Sequence, residues 1–187
     1  MNYYIADLHF GFERVLVIDK LDVESVEKRN KLVVARWNSV VKDDDDVYIA
    51  GDIMWETATQ DKAFEIVKQL NGRKHLAVGN HDKMTSDEFK TCFISIEGFY
   101  DIIDNGKPVF VSHYPIMFYP HQHRGGYMVY GHVHKSHEYH HILKWSDELY
   151  CEGITSNMFN VGCMLKGIDF TPRTLDELIK IREENRV

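Results

Sequence analysis

The feature that most constrains the fold is an alternation of short apolar runs with helical patterns in the first half of the chain. Apolar runs of strand length occur at residues 3–6, 47–50 and 75–78. Apolar residues repeat at helical spacing within 23–41, and a second helix is predicted over 60–70, with Thr59 as its N-cap. Strand, helix, strand, helix, strand predicts an α/β fold whose sheet begins with parallel strands.

The second half of the chain has a different pattern. Four further strands are predicted, at residues 100–104, 107–112, 128–130 and 158–161. Asn105-Gly106 separates the first two of them and is a strong signal for a two-residue hairpin. Thr174 and Glu177 have the spacing of a capping box, which predicts the start of a final helix. The chain length suits one domain, 1–187, with antiparallel strands following the parallel ones.

Polar blocks follow the ends of most predicted strands. The blocks are Asp7-Leu8-His9, Gly51-Asp52, Gly79-Asn80-His81-Asp82, Ser112-His113 and Gly131-His132-Val133-His134. Loops at the carboxyl ends of parallel strands are where α/β sheets bind ligands, so the blocks can converge on one point. Imidazole, carboxylate and amide groups without a thiolate suit Mn, Fe, Zn or Ni. The blocks therefore predict a metal site.

Taken together, the blocks resemble the calcineurin-like metallophosphoesterase superfamily, whose pattern is DxH, GD, GNHD/E, a lone His and GHxH. All five blocks occur in that order between Asp7 and His134. The resemblance implies a four-layer αββα sandwich of mixed sheets flanked by helices. It also implies two divalent cations and hydrolysis of phosphate esters by a hydroxide formed from metal-bound water. Phe12 stands where small bacterial relatives often carry a histidine, which leaves the subfamily open.

The same resemblance implies a role for each residue in the blocks. One cation would be bound by Asp7, His9 and His134, and the other by Asn80, His113 and His132. Asp52 would bridge the two cations. Manganese is the favoured metal, with Fe, Zn, Ni and Mg as alternatives.

His81 is expected to act on the substrate rather than on metal. The resemblance implies that it contacts the phosphate or protonates the leaving oxygen, with Asp82 orienting its imidazole. His123 and Arg124 lie between the fourth and fifth blocks and are candidate substrate contacts, since arginine can bind phosphate through two hydrogen bonds. The alternative for both is a solvated surface position. Asn160 either supports the site or has a structural role.

Composition limits the possible partners. The net charge is −7 and no basic face is visible, which argues against extensive nucleic-acid binding. No stretch reaches the ~18 uncharged apolar residues that span a bilayer. The N-terminus lacks the pattern of a signal peptide, so a cytoplasmic protein with no membrane partner is expected. Three widely spaced cysteines indicate reduced, partly buried thiols, and the acidic run 43–46 is expected to form a solvated turn.

Three functions remain to be compared. The leading interpretation is an enzyme that cleaves phosphomonoesters or phosphodiesters of a small substrate, such as a nucleotide or cyclic nucleotide. The alternative is a metal-binding scaffold of the same fold with little or no catalysis. A nuclease is disfavoured by the acidic charge. The sequence leaves the substrate, the native metals and the oligomeric state open.

Overall fold

The computed structural model describes residues 1–185, and the last two residues of the predicted domain lie outside the described residues. The strands are β1 (Asn2–Ile5), β2 (Asp46–Ile49), β3 (Arg73–Ala77), β4 (Ser95–Glu97), β5 (Phe99–Asp104), β6 (Lys107–Ser112), β7 (Tyr127–Tyr130) and β8 (Met158–Asn160). The helices are α1 (Val15–Ile18), α2 (Val26–Val40), α3 (Gln60–Val67), α4 (Asp87–Lys90), α5 (His137–Cys151) and α6 (Leu175–Asn185). Short 3-10 turns occupy Thr57–Thr59 and Gln122–Arg124.

The strands form two four-stranded sheets, which confirms the predicted mixed α/β fold. The first has the order β1-β2-β3-β4 and is parallel throughout. The second has the order β5-β6-β7-β8. Only its β5–β6 pair is antiparallel, whereas β6–β7 and β7–β8 are parallel. The second sheet is therefore less antiparallel than expected, because its later strands are joined by long crossovers rather than by tight turns.

Alternate residues of the first sheet face opposite layers, as the period of a strand requires. The hydroxyl of Tyr3 donates to the carbonyl oxygen of Val40 in α2, at 3.0 Å. The hydroxyl of the next residue, Tyr4, donates to the carboxylate of Asp104 in β5, at 2.7 Å. One face of this sheet therefore packs on helices and the other packs on the second sheet.

The second sheet alternates in the same way. Phe110 and Met128 belong to a small buried cluster that packs against Ile142 and Trp145 of α5. Val109, next to Phe110, belongs instead to the main core, which contains residues of both sheets and of α2. The layers thus run helices, sheet, sheet, helix, as in the predicted sandwich.

Local sequence signals for turns and caps are confirmed at two places. Asn105 and Gly106 have φ angles of 49° and 81°, as a two-residue hairpin requires. At the start of α6, the backbone N–H of Glu177 donates to the Thr174 hydroxyl, and the Glu177 carboxylate accepts from the Thr174 N–H. Thr59 stands at the N-cap of α3, but its side chain makes no capping hydrogen bond.

Two smaller expectations need correction. Asp45, within the acidic run, is buried, and its carboxylate accepts from the N-terminal ammonium at 2.7 Å and from the Lys42 N–H at 2.9 Å. The run is therefore not a wholly solvated turn. The three cysteines are free, but Cys151 is exposed and Cys163 is buried. Within residues 1–185, no helix combines the length and apolar character needed to cross a membrane.

Replacing Gly106 by Ala should lower the free energy of unfolding by about 1 kcal/mol, because a side chain disfavours its left-handed backbone. Urea denaturation measures this difference. Gly98→Ala is a matched control, since an added Cβ there meets nothing within 4 Å and φ is not positive. The control should change stability by less than ~0.5 kcal/mol. Equal losses in the two variants would contradict the hairpin assignment.

Candidate metal centre

The loops that carry the polar blocks are held together by backbone hydrogen bonds. The N–H of Asp7 donates to the carbonyl of Gly51 at 3.0 Å, and the N–H of His9 donates to the carbonyl of Asp52 at 2.9 Å. The chain after β1 therefore runs beside the chain after β2. Ala6 also pairs with Gly162, just after β8, so both sheets meet at this point. Blocks that are distant in sequence are brought to one end of the two sheets.

Most predicted ligands have an unusual backbone conformation. Five of the seven lie in the left-handed region: Asp7 (φ 57°), His9 (43°), Asp52 (54°), His132 (69°) and His134 (44°). This region is uncommon for residues other than glycine, although Asp, Asn and His adopt it more often than most. A left-handed residue turns the chain sharply as a strand ends. The turn points successive side chains into the space between the loops.

One compact group consists of Asp7, His9 and His134, whose ligand-capable atoms lie within 4.8 Å of one another. The Nε2 atoms of His9 and His134 face each other at 3.2 Å. One oxygen of Asp7, Oδ1, accepts from the His132 N–H at 2.9 Å. The other, Oδ2, is buried and has no hydrogen-bond partner among residues 1–185. A group of this kind can hold a metal ion.

A second compact group consists of Asp7, Asp52 and His113, again within 4.8 Å. The Nε2 atom of His113 lies 2.9 Å from the Asn80 side-chain oxygen and 3.4 Å from Asp52 Oδ2. The same oxygen of Asp52 is 3.8 Å from His9 Nε2. Asp52 is therefore a member of the second group that also approaches the first, as is expected of a bridging ligand. Asp7 belongs to both groups, although the sequence analysis assigned it to one cation.

His132 occupies a different position from the other predicted ligands. Its ring packs edge-on against His113, with centroids 5.0 Å apart, and against Tyr114, at 4.5 Å. The residue is exposed. His132 thus lies at the solvent-facing rim of the second group.

Burial sets the charge of the innermost side chains. It lowers the pKa of His9 to about 3, so the imidazole is neutral near pH 7 and has a lone pair available for a metal. It raises the pKa of Asp7 to about 6. Asp7, Asp19 and Asp52 are each no more than 3% exposed. Buried carboxylates are costly unless positive charge or hydrogen bonds compensate them, and bound cations would supply positive charge here.

Asp19 is a site residue that the sequence analysis missed. Its Oδ1 atom lies 2.6 Å from Nδ1 of His134, on the side of the ring opposite the first group. Burial lowers the pKa of His134, but the hydrogen bond to Asp19 and the negative charges of Asp7, Asp19 and Asp52 outweigh it, so the pKa is raised overall. A carboxylate in this position orients a metal-binding imidazole and increases its basicity. Asp19 ends the four-residue helix α1, and no motif marks it.

The structure gives Asp82 a different task from the one expected. Its carboxylate accepts hydrogen bonds from four backbone N–H groups: Gly79, Asp52, Ile53 and Met54, at 2.8–3.3 Å. Asp82 therefore ties the loop after β2 to the loop after β3. The expectation that it orients the His81 imidazole needs correction, because both of its oxygens are engaged by backbone donors.

The two candidate substrate contacts lie on the surface. His123 and Arg124 are exposed on the 3-10 turn Gln122–Arg124. Their neighbour His121 pairs with Asp101 of β5, at 3.2 Å. Asn160 supports the site indirectly, since its side-chain N–H donates to the carbonyl of His134 at 3.1 Å. The structure thus brings Asn160 to the site and leaves the turn solvated.

Comparisons with known proteins give relatives of the whole chain whose names state no activity. No protein-family model matches the chain. Uncharacterized protein MJ1445 of Methanocaldococcus jannaschii is 29% identical over 185 residues, which are 99% of this chain and 93% of the relative. The gene 66 protein of Mycobacterium phage L5 is 38% identical over 82 residues. That match covers 43% of this chain and 39% of the phage protein.

Among solved structures, the protein of unknown function AQ665 from Aquifex aeolicus has a TM-score of 0.71 and 24% identity. The match covers 97% of this chain and 98% of the other, which shows a shared fold. Looser neighbours, at TM-scores of 0.44 or less, include a nuclease and a phosphoesterase. That level of similarity establishes no activity.

Replacing Asp19 by Asn should weaken manganese binding by roughly 10- to 100-fold, because His134 loses the carboxylate that orients it. Calorimetric titration of the metal-free protein with Mn²⁺ measures the affinity. Asp101→Asn is a matched control, since it removes the same type of partner from the exposed His121. Equal affinities in the two variants would show that Asp19 has no role at the centre.

Proposed function

We propose that this chain is a metal-dependent phosphoesterase that hydrolyses mono- or diesters of a small, nucleotide-sized substrate. The observation that carries the proposal is the pair of compact ligand groups that share Asp7, with Asp52 of the second group 3.8 Å from His9 of the first. Paired divalent cations are the usual device for displacement at phosphorus. The proposed enzyme is a single calcineurin-like domain, 1–187.

The chemistry of the donor atoms suits divalent cations. Asp7 Oδ2 is buried without a partner, and two imidazole nitrogens of His9 and His134 face each other at 3.2 Å. Lone pairs directed at one another are unfavourable unless a proton or cation lies between them. When bound, the cations supply Lewis acidity that activates water and neutralises phosphoryl charge. We favour manganese, with Fe, Zn, Ni and Mg as alternatives, because nitrogen and oxygen donors are mixed.

Within this proposal, the seven ligands are assigned to the two cations as the motif pattern implies. Asp7, His9 and His134 would hold one cation, and Asn80, His113 and His132 would hold the other. Asp52 would be shared by the two cations, and Asp7 is a second candidate for that role because it belongs to both compact groups. Asp19 and Asn160 orient His134 from behind.

His81 is the residue proposed to act on the substrate directly. Its backbone N–H donates to Asp52 Oδ1 at 2.9 Å, and its ring centroid is 5.7 Å from that of His9. The side chain is 21% exposed, so the ring borders both the ligand groups and the solvent. A ring in this position can contact a bound phosphate or donate a proton to the leaving oxygen.

Charge favours a small substrate over a polynucleotide. The chain carries a net charge of −7, so the protein as a whole does not attract a polyanion. Extensive polynucleotide binding requires a basic face, and the acidic balance of the chain disfavours one. The scaffold alternative is disfavoured because His81 stands beside a full set of ligands.

Replacing Asp52 by Asn should lower the hydrolysis of bis-p-nitrophenyl phosphate with Mn²⁺ by roughly 100-fold or more, since a charged bridge becomes neutral. Release of p-nitrophenol and metal analysis measure the effect. Asp176→Asn, in an exposed ion pair with Lys107, is the control and should keep full activity. If the wild-type protein binds metal but hydrolyses no ester, the scaffold alternative is correct. Faster cleavage of single strands than of mononucleotides would favour a nuclease.

Replacing His81 by Ala should lower kcat by roughly 10²- to 10⁴-fold and leave the metal content unchanged, because the ring acts on the substrate and not on the cations. Turnover and bound manganese are measured on the same preparation. His121→Ala is a matched control on the exposed surface. Loss of metal together with activity would contradict the separate role of His81.

A further inference from the structure

The ring of His81 is one member of a stack of three rings. It lies over the ring of Trp55 with centroids 3.6 Å apart and an angle of 19° between the planes. The opposite face of Trp55 is covered by Phe12, at 3.9 Å and 4°. Trp55 is therefore held between two nearly parallel rings, of which one is the proposed substrate-contacting imidazole.

The backbone also holds Trp55 beneath His81. The hydroxyl of Thr59 accepts from the N–H of Trp55 at 2.8 Å and lies 2.9 Å from its carbonyl oxygen. This contact occupies the side chain that was expected to cap α3. The next residue, Glu56, has a positive φ of 54°, and its N–H donates to the carbonyl of His81 at 2.8 Å. The two stacked residues are thus joined through backbone as well as through their rings.

Stacking is the principal contact that orients the His81 imidazole. Nδ1 of His81 is buried and has no hydrogen-bond partner within residues 1–185. The carboxylate of Glu56 is 3.9 Å from it, beyond hydrogen-bond distance. Asp82, the residue expected to orient the ring, is bound to backbone N–H groups. Aromatic stacking of this kind favours one orientation of the His81 ring.

We propose that Trp55, backed by Phe12, is a positioning residue that holds the His81 imidazole in line with the substrate phosphate. The inference rests on the proposed phosphoesterase function. The inference also assigns a role to Phe12, for which the motif pattern gives none: its ring supports Trp55 on the face away from His81. A displacement of about 1 Å in a group that acts on the transition state can lower a rate by roughly 100-fold.

The first test needs neither metal nor turnover. In the full-length protein, the ring current of Trp55 should shift the carbon-bound ring protons of His81 upfield in NMR spectra. Trp55→Ala should abolish the shift, and Trp55→Phe should retain part of it. Trp145→Ala is the matched control, since that tryptophan contacts Phe118 instead. Unchanged His81 resonances in Trp55→Ala would overturn the proposal.

The second test is a double-mutant cycle on the Mn²⁺-loaded protein with bis-p-nitrophenyl phosphate. Trp55→Ala should lower kcat by roughly 10- to 100-fold with bound manganese unchanged, and Trp55→Phe should restore most of the loss. In the His81→Ala background, Trp55→Ala should have no further effect, because Trp55 acts through that ring.

Two results separate the possible failures. The same fold-loss from Trp55→Ala with and without His81 would overturn the positioning role, since Trp55 would then act independently of the imidazole. A wild-type protein without turnover would overturn the proposed function instead. The NMR comparison then decides alone whether Trp55 orients His81, because it is made on the protein without substrate or metal.

Discussion

The arrangement of the molecule depends on the burial of carboxylates at the meeting point of its two sheets. Burying an ionised carboxylate away from water costs several kcal/mol of folding free energy unless hydrogen-bond donors or positive charges surround it. The carboxylate of Asp52 accepts a hydrogen bond from the backbone N–H of His81, and that of Asp7 accepts one from the backbone N–H of His132. Each of these bonds joins loops that follow different strands. The carboxylates therefore hold the loops together. Oδ2 of Asp7 is buried and has no hydrogen-bond partner among residues 1–185, and a bound cation would compensate its negative charge.

The glycines that precede the polar residues of the blocks are needed because neighbouring atoms leave no room for a side chain. A Cβ on Gly51, which has φ +83°, would lie 2.3 Å from the Nδ1 atom of His113. A Cβ on Gly79 would lie 2.2 Å from Oδ1 of Asp52. Both distances are far below van der Waals contact, so a larger residue would displace the ligand beside it. The Gly-polar blocks thus describe packing around the centre, in which each glycine makes room for a ligand from another strand.

The features that were predicted from the sequence are those that a local pattern of residues determines. The features that were missed depend on contacts between residues far apart in the chain. The parallel strands and the Asn105-Gly106 hairpin follow from apolar runs and a turn pair. Helix α5 was missed because three histidines and several charges interrupt its apolar side, which becomes clear only where Trp145 packs on the second sheet. Asp19 was missed because it meets His134 across 115 positions of sequence. The role of Asp82 was misjudged because its neighbour in sequence, His81, is not the group its carboxylate contacts.

Backbone strain is concentrated at the ligands of the candidate metal centre. A left-handed residue other than glycine costs about 1 kcal/mol, and five of the seven predicted ligands are left-handed. Their combined cost, about 5 kcal/mol, is comparable to the lower end of the net stability of a domain. Carboxylates and imidazoles stand at these positions, with their ligand-capable atoms close together. Strain of this kind is stored where side chains must be held in one geometry, as the residues of a metal site must be. The strain therefore accounts for a metal centre in the enzyme and in the metal-binding scaffold alike.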